Sequence, residues 1–264
     1  IYKQLSDYSY PYMSFYLYNK LNFNLADRPP IVSYSFNEPS TLFNGMISPL
    51  IPYTIKGVVW YQGENNAFRH EEYGELFSLL ISDWRSKWDN DFSFYFVQIA
   101  PYFNYYNSNA PLREVQRKAL EVPKTGMVVT LDIGEKYDIH PSNKHDVGFR
   151  LARYALKNDY KIDLIDSGPL YMSQSIHENV IKVFFKHLGD GLVLDENRYS
   201  EFEVAGIDKK YFVADVVNQN DFLEVFSDNV KNPLYVRYAW SDTSSASLFN
   251  SEGLPASSFN TENE

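Results

Sequence analysis

Residues Gly126–Arg150 read GMVVTLDIGEKYDIHPSNKHDVGFR, and this stretch decides the fold. Gly126–Leu131 is an apolar run rich in valine, which predicts a buried strand. A polar loop follows at Asp132–Pro141, and an amphipathic helix is expected to begin near Ser142. A strand that leads through a loop into a helix is the repeating unit of parallel α/β sheets. The loop is therefore predicted to lie at the carboxyl end of a strand, where α/β proteins carry their sites.

The same alternation of strand and helix extends upstream. Lys56–Gln62 and Phe92–Ala100 are continuous runs of β-branched and aromatic residues, which predict strands buried on both faces. A helical pattern from about His70 to Trp88 follows the first run, and Pro111 is expected to open a helix after the second. Three strand–helix units in a row are typical of a parallel sheet with right-handed crossovers.

In the helix that Pro111 is expected to open, apolar residues recur at helical spacing and charged residues lie between them. We expect the apolar side chains to face the core and the charged ones to face solvent. The inward set is Leu112, Val115 and Ala119, and the outward set is Arg113, Glu114 and Arg117.

Beyond Lys157 the pattern changes to short segments between turn clusters, which predicts a run of antiparallel strands. These segments are Val180–Phe185, Glu201–Ala205, Tyr211–Val217, Phe222–Phe226 and Leu234–Trp240. We place a boundary near Ile162–Pro169, which divides the chain into an α/β part, residues 1–164, and a β-rich accessory domain, residues 165–264. The tail Ser241–Glu264 is expected to run over the surface, and Tyr12–Leu25 is expected to form a short helix.

The composition argues against several classes of function. The 264 residues include 24 basic and 34 acidic side chains, for a formal net charge of −10, which disfavours a nucleic-acid partner because such binding neutralises phosphates with Lys and Arg. The absence of cysteine removes thiol catalysis, disulfides and thiolate metal sites. No apolar run reaches the length of a membrane span.

The loop after the third strand carries groups suited to proton transfer. His140 can act as a base near neutral pH. A carboxylate on the other ring nitrogen would fix the tautomer, and Asp138, two residues earlier, is the first choice, with Asp132 as the competing residue. A D-x-H pattern also arises when the Asp caps a turn and the His bonds to the backbone, and taken alone this structural role is the more frequent one.

The loop after the first strand, Gln62–Asn66, reads QGENN and offers hydrogen-bond donors. An oxyanion hole needs donors aimed at the developing charge, and a glycine-turn amide together with a side-chain amide would supply them. The same letters also suit an ordinary turn, because Asn tolerates a left-handed backbone.

Metal chemistry is the rival interpretation of the polar loop. His140 and His145, together with Asp132 and Asp138, could form a zinc or hard-ion site. The sequence contains no H-E-x-x-H pattern, and His145 is placed one turn into the predicted helix, which argues against such a site.

Five strings carry a resemblance to a known family: LFNGMISPLIPYTIKGVVWYQGENNA, FYFVQIAP, LREVQRKAL, TGMVVTLDIGEKYDIHPSNKHDVGFRLA and VRYAWSDTSSASLFNSEGLPASSF. Taken in this order, from about Pro39 to Phe259, they resemble the sialate O-acetylesterases, which belong to the SGNH (GDSL-like) hydrolases. The resemblance implies a flavodoxin-like α/β domain, of which residues 1–164 would be the C-terminal portion. It also implies removal of O-acetyl groups from sialic acid or related glycans, without a cofactor, in the periplasm or outside the cell.

The resemblance assigns roles to individual residues. The family's catalytic histidine lies in an I-H-P string, which matches His140, with Asp138 as the expected orienting residue. The family's Y-Q-G-E-S-N loop matches Tyr61 to Asn66, so Gly63 and Asn66 would be the oxyanion donors. The residues then expected to bind substrate are Gln62, Glu64, Asn65 and Tyr102.

Two of the departures from the family pattern concern the loops. The superfamily places Asp three residues before the histidine, where this chain has Tyr137, so a Ser–His dyad assisted by a backbone carbonyl or Asp132 remains open. Asn65 replaces the usual serine of the glycine loop, which is a mild change between small polar residues.

The third departure concerns the nucleophile. The family's serine lies in a G-Q-S-N string upstream of the glycine loop, and no serine of this chain has that context or a G-x-S-x-G context. We therefore expect the nucleophile to lie outside this chain, in an N-terminal part of the same enzyme, and the chain alone to be inactive. The alternatives are an acetylxylan-type esterase and a non-catalytic carbohydrate-binding protein that uses the aromatic loop Tyr102–Tyr106.

Overall fold

The computed structural model describes residues 40–105, 108–195 and 201–263. The helix expected at Tyr12–Leu25 lies outside these residues. The chain divides into two compact units, residues 1–55 with 83–90, and residues 56–82 with 91–264. In the described part of the first unit, helical turns at Phe43–Ile47 and Ser48–Leu50 precede a loop whose Tyr53 carbonyl accepts a hydrogen bond from Trp88 Nε1 at 3.0 Å.

The second unit contains the predicted parallel sheet. Its strands are β1 (Gly57–Trp60), β2 (Ser93–Val97) and β3 (Thr125–Val128), paired in the order β1–β2–β3. The helices that alternate with them are α1 (His70–Trp88), α2 (Asn109–Lys118) and α3 (Lys144–Asn158). The predicted α/β alternation is therefore confirmed, with helix α1 at its predicted bounds.

Strand β2 forms the centre of the sheet, and all five of its residues are buried. Because side chains alternate along a strand, Phe94 and Phe96 face one side, where their rings lie 5.8 and 5.0 Å from Phe77 of α1. Tyr95 faces the other side and stacks on Tyr154 of α3 at 5.5 Å. Helices therefore cover both faces of the sheet, which fixes the direction of the loops at its carboxyl edge.

Strand β1 is less buried than the sequence predicts. Trp60 lies 6.4 Å from Phe77 and 6.2 Å from Phe94, but Val59, on the opposite face, is 65% exposed. The prediction of burial on both faces was wrong for this strand because it is the edge strand of the described sheet, and α3 packs over β2 and β3.

Antiparallel strands follow the α/β part, as predicted from the change in pattern. They are β4 (Leu170–His177), β5 (Val180–Lys186), β6 (Leu192–Leu194), β7 (Phe202–Ala205), β8 (Phe212–Val213), β9 (Asp215–Asn218), β10 (Phe222–Phe226), β11 (Tyr235–Tyr238), β12 (Leu248–Asn250) and β13 (Phe259–Asn260). They pair in the orders β4–β5–β10–β9, β13–β11–β7–β8 and β12–β6. The predicted fold class, a parallel α/β sheet followed by an antiparallel β-rich region, is confirmed, and the domain boundary at residues 164 and 165 stays a prediction.

The C-terminal tail does not run over the surface, so this expectation was wrong. Strand β12 pairs with β6 and strand β13 pairs with β11, so the tail completes two sheets. Phe259 is fully buried, and its ring lies 4.8 Å from Tyr171 and 5.9 Å from Phe185. The polar composition misled the prediction because polar side chains of the tail are bonded inside the protein, as the Ser257 hydroxyl is to Gln98 at 2.9 Å.

Helix α2 buries two charged residues that were expected to face solvent. Arg113 is 0% exposed, and its guanidinium donates to the carbonyls of Ala239 and Ser241 at 3.0 and 2.6 Å. Glu114 is also buried and accepts two hydrogen bonds from Arg117, at 2.6 and 3.0 Å. The outward assignment of Arg113 and Glu114 was wrong because the β-rich region covers this side of the helix.

Candidate functional site

The glycine turn at the end of β1 is fixed by a backbone conformation and by crowding. Gly63 is buried and has φ +154°, in a region that side-chain-bearing residues rarely adopt. A Cβ atom at this position would lie 3.0 Å from Ile99 Cγ2, 3.1 Å from Gln116 Nε2 and 3.3 Å from Leu112 Cδ2. The turn therefore packs directly on the β2 loop and on helix α2, and a glycine is needed there.

Three neighbouring elements hold the backbone of the turn through hydrogen bonds. The Tyr73 hydroxyl of α1 donates to the Gln62 carbonyl at 3.0 Å. The Tyr102 hydroxyl, from the loop after β2, donates to the Glu64 carbonyl at 3.2 Å. Because the Tyr102 ring is buried, the structure gives this residue a supporting position beneath the turn, whereas the sequence suggested a substrate contact.

Gln116 of helix α2 is the third support, and sequence reasoning did not identify it. Its side chain is buried and accepts a hydrogen bond from the backbone N–H of Ile99 at 2.9 Å. Its Nε2 donates to the carbonyls of Val97 and Gln62 at 3.3 and 3.4 Å. This one side chain therefore ties the end of β2 to the glycine turn.

The amide groups of the turn form a local donor set. The backbone N–H of Asn66 donates to the Gly63 carbonyl at 2.7 Å, which closes the turn. Gln62 Nε2 donates to Asn66 Oδ1 at 2.7 Å, so the carbonyl end of the Asn66 amide is occupied and its NH₂ end is the donor. Asn65 lies exposed beside it. The Asn66 NH₂ group is therefore the donor that this side chain can offer to an oxygen atom.

Glu64 brings a carboxylate to these amides. Burial is the main cause that raises the pKa of Glu64 above its ordinary value. Hydrogen bonds from its own backbone and from Gly63, together with the charges of Lys144 and His140, oppose this rise. The amides of the turn thus interact with a negatively charged oxygen, and the Glu64 carboxyl lies within electrostatic reach of the His140 loop.

The loop after β3 carries His140 at the surface. The His140 side chain is 87% exposed, and its Nδ1 lies 3.9 Å from Asp138 Oδ1, which is longer than a hydrogen bond. The same Asp138 oxygen accepts the backbone N–H of His140 at 2.8 Å. Asp138 therefore caps the turn, which is the structural role that a D-x-H pattern can also have. It lies next to the His140 ring but makes no hydrogen bond that would orient the ring.

Asp132, the competing orienting residue, is engaged elsewhere. Arg150 of α3 donates to both of its carboxylate oxygens, at 2.7 and 2.5 Å, and to the Val129 carbonyl at 2.7 Å. This bidentate pair fixes the start of the loop to helix α3. Arg150 is buried, and nothing in the local sequence indicated this burial.

The two loops lie at the same edge of the sheet. Because β1 and β3 both run parallel to β2, their carboxyl ends emerge on one side, separated by two strand spacings of about 4.8 Å each. Lys144, at the start of α3, donates to the Pro141 carbonyl at 2.7 Å and lies 5.1 Å from the ring centre of Tyr61, next to the glycine turn. The structure thus brings the Tyr61–Asn66 turn and the His140 loop together around Glu64 and Lys144.

Neither a serine nucleophile nor a metal cluster accompanies His140 in the described part of the chain. Within residues 40–105, 108–195 and 201–263, no serine hydroxyl is bonded to the His140 ring, and the hydroxyl of the neighbouring Ser142 donates to Glu135 at 2.7 Å. No group of three potential metal ligands is found among these residues. In the same ranges, no helix has the length and apolar character of a transmembrane segment.

Comparison with known proteins gives consistent matches to carbohydrate esterases. A family model described as "Carbohydrate esterase, sialic acid-specific acetylesterase" matches residues 33–157. The sialate O-acetylesterases of Mus musculus and Homo sapiens are 35% and 31% identical to 50% of this chain, and the matched part is 28% and 29% of their own length. A crystal structure of a carbohydrate acetylesterase from Xanthomonas citri is similar with a TM-score of 0.79 and 37% identity, covering 84% of this chain and 54% of that one.

These similarities agree with one another, because each match is to a carbohydrate or sialate acetylesterase. The family model covers both the glycine turn and the His140 loop. Over the matched residues the chain is similar to the sialic acid-specific acetylesterases. It spans less than a third of the length of the curated relatives that it matches.

Proposed function

We propose that the protein removes O-acetyl groups from sialic acid or a related acetylated glycan by Ser–His acyl transfer. In this proposal the chain supplies the base, His140, and the oxyanion donors, Gly63 and Asn66. The observation that carries the proposal is the position of the amide-lined glycine turn beside the His140 loop at one edge of the parallel sheet. We also propose that the fold is of the SGNH hydrolase type. Since acetylated glycans occur mainly outside the cytoplasm, we propose a periplasmic or extracellular location.

The chemistry follows from the roles of these groups. A serine hydroxyl attacks the acetyl carbonyl carbon while His140 takes its proton. The carbonyl oxygen becomes an oxyanion that the Gly63 N–H and the Asn66 amide stabilise. His140 then returns the proton to the sugar oxygen, which leaves as a hydroxyl group. Water, deprotonated by the same imidazole, attacks the acyl-serine and releases acetate.

The nucleophile is proposed to come from outside this sequence. Among the described residues no serine hydroxyl is bonded to the His140 ring, and the hydroxyl of the neighbouring Ser142 is bonded to Glu135. The His140 side chain is 87% exposed, so its ring is accessible to a serine supplied by another part of the enzyme. We therefore expect this polypeptide alone to show no hydrolysis of p-nitrophenyl acetate and no labelling by a serine-directed fluorophosphonate. Labelled serine with turnover would identify a nucleophile within the chain.

Asp138 keeps the role of orienting residue in this proposal, through a closer approach than the present 3.9 Å. Catalytic hydrogen bonds are often long in the absence of substrate, and rotation of the exposed ring would shorten this one. Gln62, Glu64 and Asn65 line the substrate side of the turn. Tyr102 contributes from below by holding the Glu64 carbonyl.

The test measures hydrolysis of an O-acetylated sialoside by the complete gene product that contains these residues. Changing His140→Ala should lower kcat/KM at least about 100-fold, because a general base contributes roughly 10²–10⁴ to the rate. His145→Ala is the matched control, since His145 is also exposed and lies near His140 in the chain, bonded to Asp146 at 3.2 Å. A His140→Ala variant that hydrolyses the ester like the parent would exclude the proposed base.

A further inference from the structure

Two aromatic side chains beside the candidate site face solvent, and the site described above does not use them. Phe103, in the loop after β2, is 59% exposed, and Tyr137, in the loop after β3, is 85% exposed. We call this pair the aromatic rim. A buried aromatic side chain removes about 150–250 Å² of mostly apolar surface from water, so two exposed rings on neighbouring loops at a site offer surface for a ligand.

The loops that carry the rim are joined to each other. The backbone N–H of Phe103 donates to the Lys136 carbonyl at 2.7 Å, so Phe103 lies next to the residue that precedes Tyr137. Gly134 packs so closely on the other loop that a Cβ atom there would lie 2.6 Å from the Pro101 carbonyl oxygen. The two rings are therefore presented by loops whose relative position is fixed, and little ordering is required when a ligand binds.

A positive charge accompanies the rim. The Lys136 ammonium lies 5.4 Å from the centre of the Tyr137 ring. The neighbouring carboxyl groups are held to the loop by hydrogen bonds, because Glu135 accepts from the backbone and hydroxyl of Ser142, and Asp138 accepts the backbone N–H of His140. In a chain of net charge −10, this corner combines exposed aromatic faces with a cation.

We propose that the aromatic rim is a subsite for the pyranose ring of an acidic glycan, with Phe103 and Tyr137 as stacking surfaces and Lys136 pairing with the sugar carboxylate. The inference rests on the proposed function, since it places the sugar beside the acetyl group that His140 would process. Aromatic faces complement the C–H faces of a sugar ring, and the ammonium distinguishes an acidic sugar from a neutral one.

The test measures the dissociation constant of the complete gene product for the methyl glycoside of N-acetylneuraminic acid, which has no ester to hydrolyse. Phe103→Ala and Tyr137→Ala should each weaken binding about 3- to 10-fold, the effect of losing one aromatic contact. Tyr137→Phe should bind like the parent, because it keeps the ring. Lys136→Met should weaken binding of this acidic ligand and leave binding of methyl xyloside, a neutral sugar, unchanged.

The matched control is Tyr160→Ala. Tyr160 is 62% exposed, and it follows α3, whose 15 residues span about 22 Å, so it lies at the opposite end of the helix from the His140 loop. This variant should bind like the parent. Melting temperatures close to that of the parent would show that the exposed rim residues were replaced without unfolding.

The outcomes separate this inference from the proposed function. Parent-like affinity in both alanine variants, or no binding by the parent, would overturn the rim while His140-dependent hydrolysis still supported the esterase. Rim-dependent binding without His140-dependent hydrolysis would retain the subsite and reject the esterase assignment.

Discussion

Replacement of Gly63 by alanine tests whether the glycine turn is held as rigidly as the structure indicates. The residue has φ +154°, and an alanine there must either adopt a strained backbone conformation or move the turn. The Cβ atom would also approach three side chains, at 3.0, 3.1 and 3.3 Å. One of them, Gln116, cannot easily withdraw because its side chain bonds to Ile99 and to two carbonyls.

The expected loss of stability combines these two effects. A sparsely populated backbone conformation costs about 1–3 kcal/mol. Overpacking of a filled interior adds about 1–3 kcal/mol. Alanine also reduces the entropy of the unfolded chain, which returns about 0.4–1 kcal/mol. We therefore expect Gly63→Ala to lower the free energy of unfolding by roughly 3 kcal/mol. If the proposed oxyanion donors are Gly63 and Asn66, the same change should also lower kcat because these donors shift.

Two other glycines separate the backbone effect from the crowding. Gly253 has φ +72° with nothing within 4 Å of its Cβ position, so Gly253→Ala should cost about 1–2 kcal/mol from the backbone alone. Gly148 lies within α3, and a Cβ atom added there would have no neighbouring atom within 4 Å outside the helix's own backbone. Gly148→Ala should therefore raise the free energy of unfolding by about 0.5–1 kcal/mol. Equilibrium urea unfolding of the three variants gives the comparison.

The reasoning about the turn would be refuted by a Gly63→Ala variant that costs no more than Gly253→Ala. In that case the neighbouring side chains would not confine the turn, and its donors would not be held in advance. A variant with unchanged stability and reduced kcat would show instead that the glycine serves the chemistry without serving the fold.

The remaining predictions concern Gln116, which supports the glycine turn, Arg113, which is buried against the β-rich region, and the Glu64 carboxyl group. Gln116→Leu removes the acceptor of the Ile99 N–H and the side-chain donor to the Val97 and Gln62 carbonyls, of which Gln62 keeps its bond from Tyr73. Urea unfolding should therefore show a loss of about 2–4 kcal/mol, and a loss below about 1 kcal/mol would contradict this role. Arg113→Met removes the donor to Ala239 and Ser241 and should cost about 3 kcal/mol in the same measurement; a neutral result would mean that the β-rich region does not depend on this guanidinium. Glu64→Gln should raise the melting temperature at pH 7. Burial raises the pKa of Glu64 above its ordinary 4.5, so the folded protein binds this proton more tightly, and stability falls as the pH rises from 4.5 through the raised value. Glutamine removes this slope, and an unchanged pH profile of melting would contradict the burial of the carboxyl group.

The sequence predicted the architecture because the decisive signals are local. The apolar runs that became β2 and β3 and the period of α1 are visible within windows of a few residues. The same holds for the antiparallel region, although the sequence reading missed β4, β6, β12 and β13 as strands. Strands β6, β12 and β13 have only two or three residues, so they give no alternation to detect, and β6 and β12 pair across more than fifty residues. Strand β4 is eight residues long, but it mixes polar and apolar residues without strict alternation.

The residues of the candidate site could be predicted from sequence motifs, but most of their side-chain contacts could not. The glycine turn and His140 could be found because their motifs are continuous in sequence. Gln116 could have been noticed, since it lies four residues after Leu112 on the inward face of α2. The burial of Arg113 could not, because its partners at Ala239 and Ser241 lie more than a hundred residues away.

The ring environment of His140 was the least predictable part of the site. A D-x-H pattern is compatible with an orienting carboxylate and with a turn cap, and this structure contains the turn cap. Asp132 was an equal candidate on spacing until Arg150, from the helix that follows, occupied both of its oxygens. Such competition between partners is decided by the tertiary structure, which the spacing of residues does not contain.

The central claim is that the glycine turn and the His140 loop contact one acetyl group. Nuclear magnetic resonance of the complete gene product, titrated with a sialoside in which an acetamide replaces the acetyl ester, tests this claim most directly. The account predicts that the Gly63 amide and the His140 ring resonances shift together with one dissociation constant, while the ring of His177, at the end of β4, stays unchanged. A shift at His140 without any shift at Gly63, or the reverse, would contradict it.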